Sequence, residues 1–138
     1  MRVVAVSREI ALPDAISMTV GEVMIGAPKT LPADATVAEV RRLFERPSMR
    51  TVLLTEGRAF AGAIERDGVP AEAPDGAPAR AYVQPEPVIA TPGMPMPDAI
   101  ELLEVRGEPR LVVLDDDGET LAGLLCANAH GTGFCVRP

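Results

Sequence analysis

At 138 residues the chain suits one compact domain or two very small lobes sharing a core. Its hydrophobic fraction of 47% is ample for a core, but with no Trp, one Tyr and three Phe the packing must rest on Val, Leu, Ile, Ala and Met. A net charge of −7 argues against non-specific binding to nucleic acid or acidic membranes. No stretch approaches the roughly 18 uninterrupted apolar residues of a membrane span. Arg8 and Glu9 interrupt the apolar N-terminus too early for a signal peptide. Two cysteines, Cys126 and Cys135, are too few for a disulfide framework. A cytoplasmic location is therefore expected.

In chain order, Arg2 to Ser7 reads as a short strand. Thr19 to Met24 reads as a single helical turn closed by Gly26 and Pro28. Lys29 to Leu31 is extended, because the residue before Pro32 avoids the helical region. Thr36 with Glu39 three residues on forms a capping box. The helix it opens places Val37, Val40, Leu43 and Phe44 on one face and ends before Pro47. Thr51 to Asp67 is a hairpin, and Gly68 to Arg80, with three prolines and two glycines, is a connector.

The pattern then restarts. Ala81 to Val83 is a helical turn and Val88 to Ala90 is extended. Pro97 takes the first helical position, Met96, Ile100 and Leu103 form the apolar stripe, and Gly107 ends the helix. Leu111 to Leu114 and Leu121 to Leu125 are strands joined by Asp115-Asp116-Asp117-Gly118. That acidic run is a turn, since it lacks the alternate spacing and distal Glu of a calcium loop.

These halves are copies. Pro32 falls on Pro92, Val40 on Ile100, Leu43 on Leu103 and Arg50 on Arg110, each a shift of 60. Past the turn the shift becomes 61, matching Gly62 to Gly123 and Asp67 to Asn128. Two copies are too few for an array. The natural solution is two half-domains packed about a pseudo-two-fold axis, each too small to bury its own sheet face.

The repeated order of elements resembles the CBS domain pair, or Bateman module, over roughly residues 19–136. The residues that carry the likeness are V-x-x-V-M at Val20 to Met24, P-x-x-A-T at Pro32 to Thr36, and two closures, G-A-I-E-R-D (Gly62 to Asp67) and G-L-L-C-A-N (Gly123 to Asn128). The resemblance implies an α+β fold of two β-α-β-β-α repeats. It divides the chain into an extension (1–18), a first repeat (19–68), a connector (69–80) and a second repeat with its tail (81–138).

The resemblance also implies a homodimeric regulatory module. Such a module binds AMP, ADP, ATP or S-adenosylmethionine in clefts between the repeats and needs no other cofactor. Ligand contacts then fall on Leu31, Pro32, Ile64, Arg66 and Asp67 in the first half. In the second half they fall on Ala90, Pro92, Leu125, Cys126 and Asn128. A carboxylate accepts from the two vicinal ribose hydroxyls, and a hydroxyl at a helix start assists phosphate binding. Both closures are one residue short of the family's G-h-h-[S/T]-x-x-D, and Glu65 and Cys126 stand where it has Ser or Thr.

Each of these positions also has a purely structural reading. Asp67 and Asn128 are turn caps in that reading, and Arg66 is a solvated charge. Cys126, His130 and Cys135 lack a fourth zinc ligand nearby. A Cys126–Cys135 bridge is geometrically feasible but disfavoured in the cytosol. No Ser-His-Asp set, P-loop or dinucleotide fingerprint is present, so no enzyme is expected. The alternative to the nucleotide sensor is a ligand-free protein of the same fold, working through dimer or heteromer contacts.

Overall fold

The computed structural model of the protein describes residues 9–107, 110–128 and 131–135. The strand expected over Arg2 to Ser7 and the only histidine, His130, lie outside them. The described chain is a mixed α+β structure that divides into two units. Unit 1 takes residues 1–28, 88–118 and 122–138, and unit 2 takes 29–87 and 119–121.

In unit 2, Thr36 caps helix α3 (Val37–Phe44) as the sequence requires; α1 (Leu12–Ala15) and α2 (Val20–Val23) belong to unit 1. Its hydroxyl accepts from the Glu39 N–H at 3.4 Å, while the Glu39 carboxylate accepts from the Thr36 N–H at 3.1 Å. Val37, Val40 and Leu43 point inward, with Phe44 half-buried. They cover a three-stranded sheet ordered β2-β3-β4, made of β2 (Thr30–Pro32), β3 (Thr51–Glu56) and β4 (Ala59–Glu65). The β2–β3 pair is parallel and the β3–β4 hairpin antiparallel, with a bulge at Leu54/Thr55. Val52, Leu54 and Ile64 fill the core with Ala35, Val40, Leu43 and Ala79.

The connector is more firmly held than its prolines and glycines suggest. Arg41 of α3 pairs with Asp75 at 2.5 Å and donates to the carbonyls of Pro70 and Ala71. The first free N–H groups of the helix donate to connector carbonyls, Val37 to Ala77 at 2.9 Å and Ala38 to Asp75 at 3.0 Å. The connector thus acts as part of the helix cap.

Unit 1 holds a five-stranded sheet ordered β1-β8-β7-β6-β5. Its strands are β1 (Glu9–Ala11), β5 (Ile89–Ala90), β6 (Arg110–Leu114), β7 (Leu121–Ala127) and β8 (Gly133–Cys135). The pair β5–β6 is parallel, and β7–β8 and β1–β8 are antiparallel. Helix α4 (Met96–Arg106) starts one residue earlier than Pro97 suggests and stops where Gly107 adopts φ +74°. Met96 and Ala99 are fully buried, while Ile100 and Leu103 of the expected stripe are only half-buried. Two short helices, α1 (Leu12–Ala15) and α2 (Val20–Val23), complete the unit. Its core joins Ala15, Val20 and Val23 to Met96, Leu111, Val113, Leu125 and Phe134.

The sequence placed residues 19–28 with the first repeat. In the structure they belong to unit 1. Val20 and Val23 are fully buried among residues of the second half, and the Gly21 N–H donates to the Pro92 carbonyl at 2.8 Å. Each unit therefore contains the segment that leads into the other. Where the resemblance implies a closing helix, β4 runs into a 3₁₀ turn (Arg66–Gly68) followed by Pro70, and β7 runs into a turn and β8.

Candidate functional site

Two closures are built alike. In unit 2, β4 passes through Gly62, at φ +147° beside the bulge on β3. A Cβ there would overlap the Val83 side chain, reaching 2.9 Å from its Cβ. The Gln84 N–H then donates to the Ala63 carbonyl at 2.8 Å. In unit 1, Gly123 has no room because a Cβ would meet the Ile25 carbonyl at 2.5 Å. Ile25 and Leu124 exchange both backbone hydrogen bonds, at 2.8 and 3.0 Å. The two motif glycines are thus where a lead-in segment lies against the closing strand.

Within unit 2 the five residues expected to touch a ligand are spread along the sheet. Leu31 pairs with Leu54 and Pro32 with Thr55, whereas Thr51 pairs with Glu65, just before Asp67. Four residues of strand put about 13 Å between those two ends of β3. Pro32 lines a shallow cavity of about 290 Å³ with Asp34, Thr55, Glu56 and Arg80. Pro92 lines one of about 470 Å³ with Gly93, Asp115, Asp116 and Asp117. Carboxylates dominate the second lining and repel a phosphate, whereas the first sets Asp34 and Glu56 against Arg80.

Ile64, Ala90 and Leu125 are each 0% exposed and present no surface to a ligand. Arg66 is engaged by its own unit. Its Nε donates to the Met49 carbonyl at 3.0 Å and its Nη2 to the Arg46 carbonyl at 2.6 Å, with the guanidinium 5.3 Å from the Phe44 ring centre. Asp67 sits exposed in the 3₁₀ turn. Before it, Glu65 accepts from the buried Thr51 hydroxyl at 2.7 Å.

In unit 1, Asn128 is built into the β7–β8 turn. Its Oδ1 accepts from the Thr132 N–H at 3.0 Å and its Nδ2 donates to the Thr132 hydroxyl at 3.0 Å. Nδ2 also lies 3.5 Å from a Glu9 carboxylate oxygen. Cys126 is a half-exposed free thiol. Burial, with the neighbouring Cys135 thiol, pushes it up to about 11 against the opposing pull of Arg110. No group of three or more His, Cys, Asp or Glu side chains arranged to hold a metal occurs among the described residues.

Sequence reasoning passed over Val83, Gln84, Met24 and Ile25 as parts of the closures. The signal was available in the motif glycines, which in a strand mark a close approach of another segment. Which segment approaches is a tertiary fact.

This geometry can be set beside known proteins. The CBS domain model matches residues 79–127. The chain has the fold of CBS pair domains. It superposes on the cystathionine beta-synthase pair domain of a Shewanella oneidensis MR-1 protein at a TM-score of 0.70 and 22% identity. That match covers 80% of this chain and 66% of the other, just under two thirds of its length. CBSX2, solved in complex with AMP, gives 0.70 and 19%, covering 80% and 90%. A Pyrobaculum aerophilum CBS domain protein complexed with AMP gives 0.68 and 21%, covering 79% and 87%. No curated protein matches the chain in sequence. Among the described residues no helix is long and apolar enough to cross a membrane.

Proposed function

We propose that this CBS pair is a regulatory module that binds an adenosyl ligand, AMP, ADP, ATP or S-adenosylmethionine, in clefts between its two repeats. It works by binding and not by catalysis, as a cytoplasmic homodimer. The observation that carries this reading is the CBS-domain match, joined to a fold shared with two CBS proteins solved with AMP. The exposed Asp67 carboxylate, in the turn that follows β4, supports it as the ribose acceptor. Regulation follows if the ligand prefers one arrangement of the module over another, because a ligand shifts an equilibrium only by its differential affinity.

A second reading, a ligand-free interaction protein of the same fold, draws on a specific observation. The Glu65 carboxylate and the Asn128 amide, the polar groups of the two closures, are already hydrogen-bonded to Thr51 and Thr132. A thermal-shift panel of the four ligands separates the readings. A ligand at 100 times its Kd adds about 2.7 kcal/mol of stability. The sensor reading expects one ligand to raise the Tm and Asp67→Ala to abolish the shift. A flat panel leaves the interaction protein standing. Light scattering that returns a monomer at micromolar concentration removes the homodimer.

A further inference from the structure

The only two cysteines of the chain stand directly opposite each other in the sheet of unit 1. The register of β7 and β8 pairs Cys126 with Cys135 and Ala127 with Phe134. At the turn the Asn128 N–H donates to the Gly133 carbonyl at 2.9 Å, so 128 and 133 form a hydrogen-bonded pair. Antiparallel ladders alternate, so two residues further along Cys126 and Cys135 are again a hydrogen-bonded pair, with Cα atoms about 5.5 Å apart. That lies inside the roughly 4.4–6.8 Å that a disulfide spans. Both thiols are free and partly exposed, and the Cys126 thiol donates to the Ala127 carbonyl at 3.7 Å.

The charged groups facing the pair come from both flanking strands. Glu9 on β1 is the register partner of Cys135, and Arg110 on β6 acts on Cys126. Two thiols and one carboxylate make a poor metal site, and the Glu9 carboxylate lies toward Asn128. Two thiols on directly opposed residues of neighbouring strands suit another chemistry.

We propose that Cys126 and Cys135 form a reversible dithiol–disulfide site, closed by exchange with a small-molecule disulfide of the glutathione class. The Cys135 thiolate attacks one sulfur of that disulfide, forming a mixed disulfide and releasing the first small thiolate. Cys126 then loses its proton and attacks the Cys135 sulfur, which breaks the mixed bond and releases the second small thiolate. The two protons lost by the protein go to the two released thiolates, so one small disulfide becomes two thiols and the protein loses two hydrogens. Entry at Cys135 follows from burial, which disfavours the thiolate at Cys126. The product staples β8, and through it β1, to the closing strand β7.

The test treats the whole chain with mixtures of reduced and oxidised glutathione, quenches with an alkylating agent, and reads intact and peptide masses. Residues 111–138 contain no cleavable basic bond, since Arg137 precedes Pro138, so one tryptic peptide carries both cysteines. The expected product is that peptide lighter by two hydrogens, unalkylated at both cysteines, and restored by dithiothreitol. Cys126→Ser is expected to stop with one glutathione on Cys135. Because the wild-type readout needs no variant, poor folding of Cys126→Ser leaves the test intact, and Cys126→Ala serves in its place. The proposal is overturned if both thiols stay alkylatable at the oxidised extreme. It is equally overturned if each cysteine takes up its own glutathione without closure, or if the bridge joins two chains.

Discussion

The closing strands β4 and β7 share one sequence pattern and end differently. Both carry a glycine against which a lead-in segment lies, and both give their unit a fully buried residue two positions later, Ile64 or Leu125. Beyond that point β4 ends at Glu65, and Arg66 folds back onto the carbonyls of Met49 and Arg46. In contrast, β7 continues through Cys126 and Ala127 into Asn128, whose amide shapes the turn to β8. Thus the strand interior is set by packing common to both copies, and the strand end is set by the residues immediately downstream. After β4 comes a connector broken by prolines, and after β7 comes Gly131-Thr132-Gly133, which permits another strand. Equivalent positions in a repeat are equivalent for the core before they are equivalent for a site.

The largest effects expected are at the shared interior. Ile64→Ala and Leu125→Ala each remove a fully buried aliphatic side chain and should cost about 3 kcal/mol in urea unfolding. Comparable losses would confirm that the interiors are matched, and a loss below about 1 kcal/mol at either would break the match.

The glycines sharpen the comparison at the next level. Gly62→Ala and Gly123→Ala should each cost about 2 kcal/mol. Val83→Ala should recover part of the loss at Gly62, where the obstacle is a side chain and only the φ strain remains. Met24→Ala should recover little at Gly123, where the Ile25 carbonyl is the nearest obstacle. A full rescue by Met24→Ala would show that the backbone contact at Gly123 is yielding.

The smallest effect is a pH dependence confined to unit 1. Burial raises Cys126 from an ordinary value of 9.0 to about 11. Below pH 9 the thiol is neutral in both folded and unfolded chains. Between pH 9 and 11 only the unfolded chain ionises, so this contribution to stability is lost as the pH rises. Cys126→Ala should flatten that part of the stability profile, whereas Glu65→Gln, at the matching position of unit 2, should not.

Much of the fold was legible because it rests on local chemistry. Thr36 and Glu39 announce α3, Gly107 announces the end of α4, and the shift of 60 that becomes 61 announces two hairpins of one design. Strands β1 and β8 were not legible, since three residues carry no readable period, and β1 exists through pairing with β8 and β8 through pairing with β7 and β1. The site was less legible than the fold. Pro32 and Asp67 are both expected at a ligand of the first half, but parallel pairing to β3 sets Pro32 beside Thr55 while Thr51, at the other end of the strand, pairs with Glu65. The partners of Arg66 are backbone carbonyls some twenty residues away, and no spacing of residue types encodes them.

The placement of residues 9–28 with residues 88–135 governs the order in which the chain completes itself during synthesis. Unit 2 has nearly all its residues once position 87 has emerged, and lacks only 119–121. Unit 1 begins earlier and finishes later, because Glu9 must wait for Cys135. Closing so long a loop is entropically slow, and until then Val20 and Val23 have no core to enter. Nascent chains arrested at successive lengths should therefore protect α3 from proteolysis well before α2, although α2 is made first.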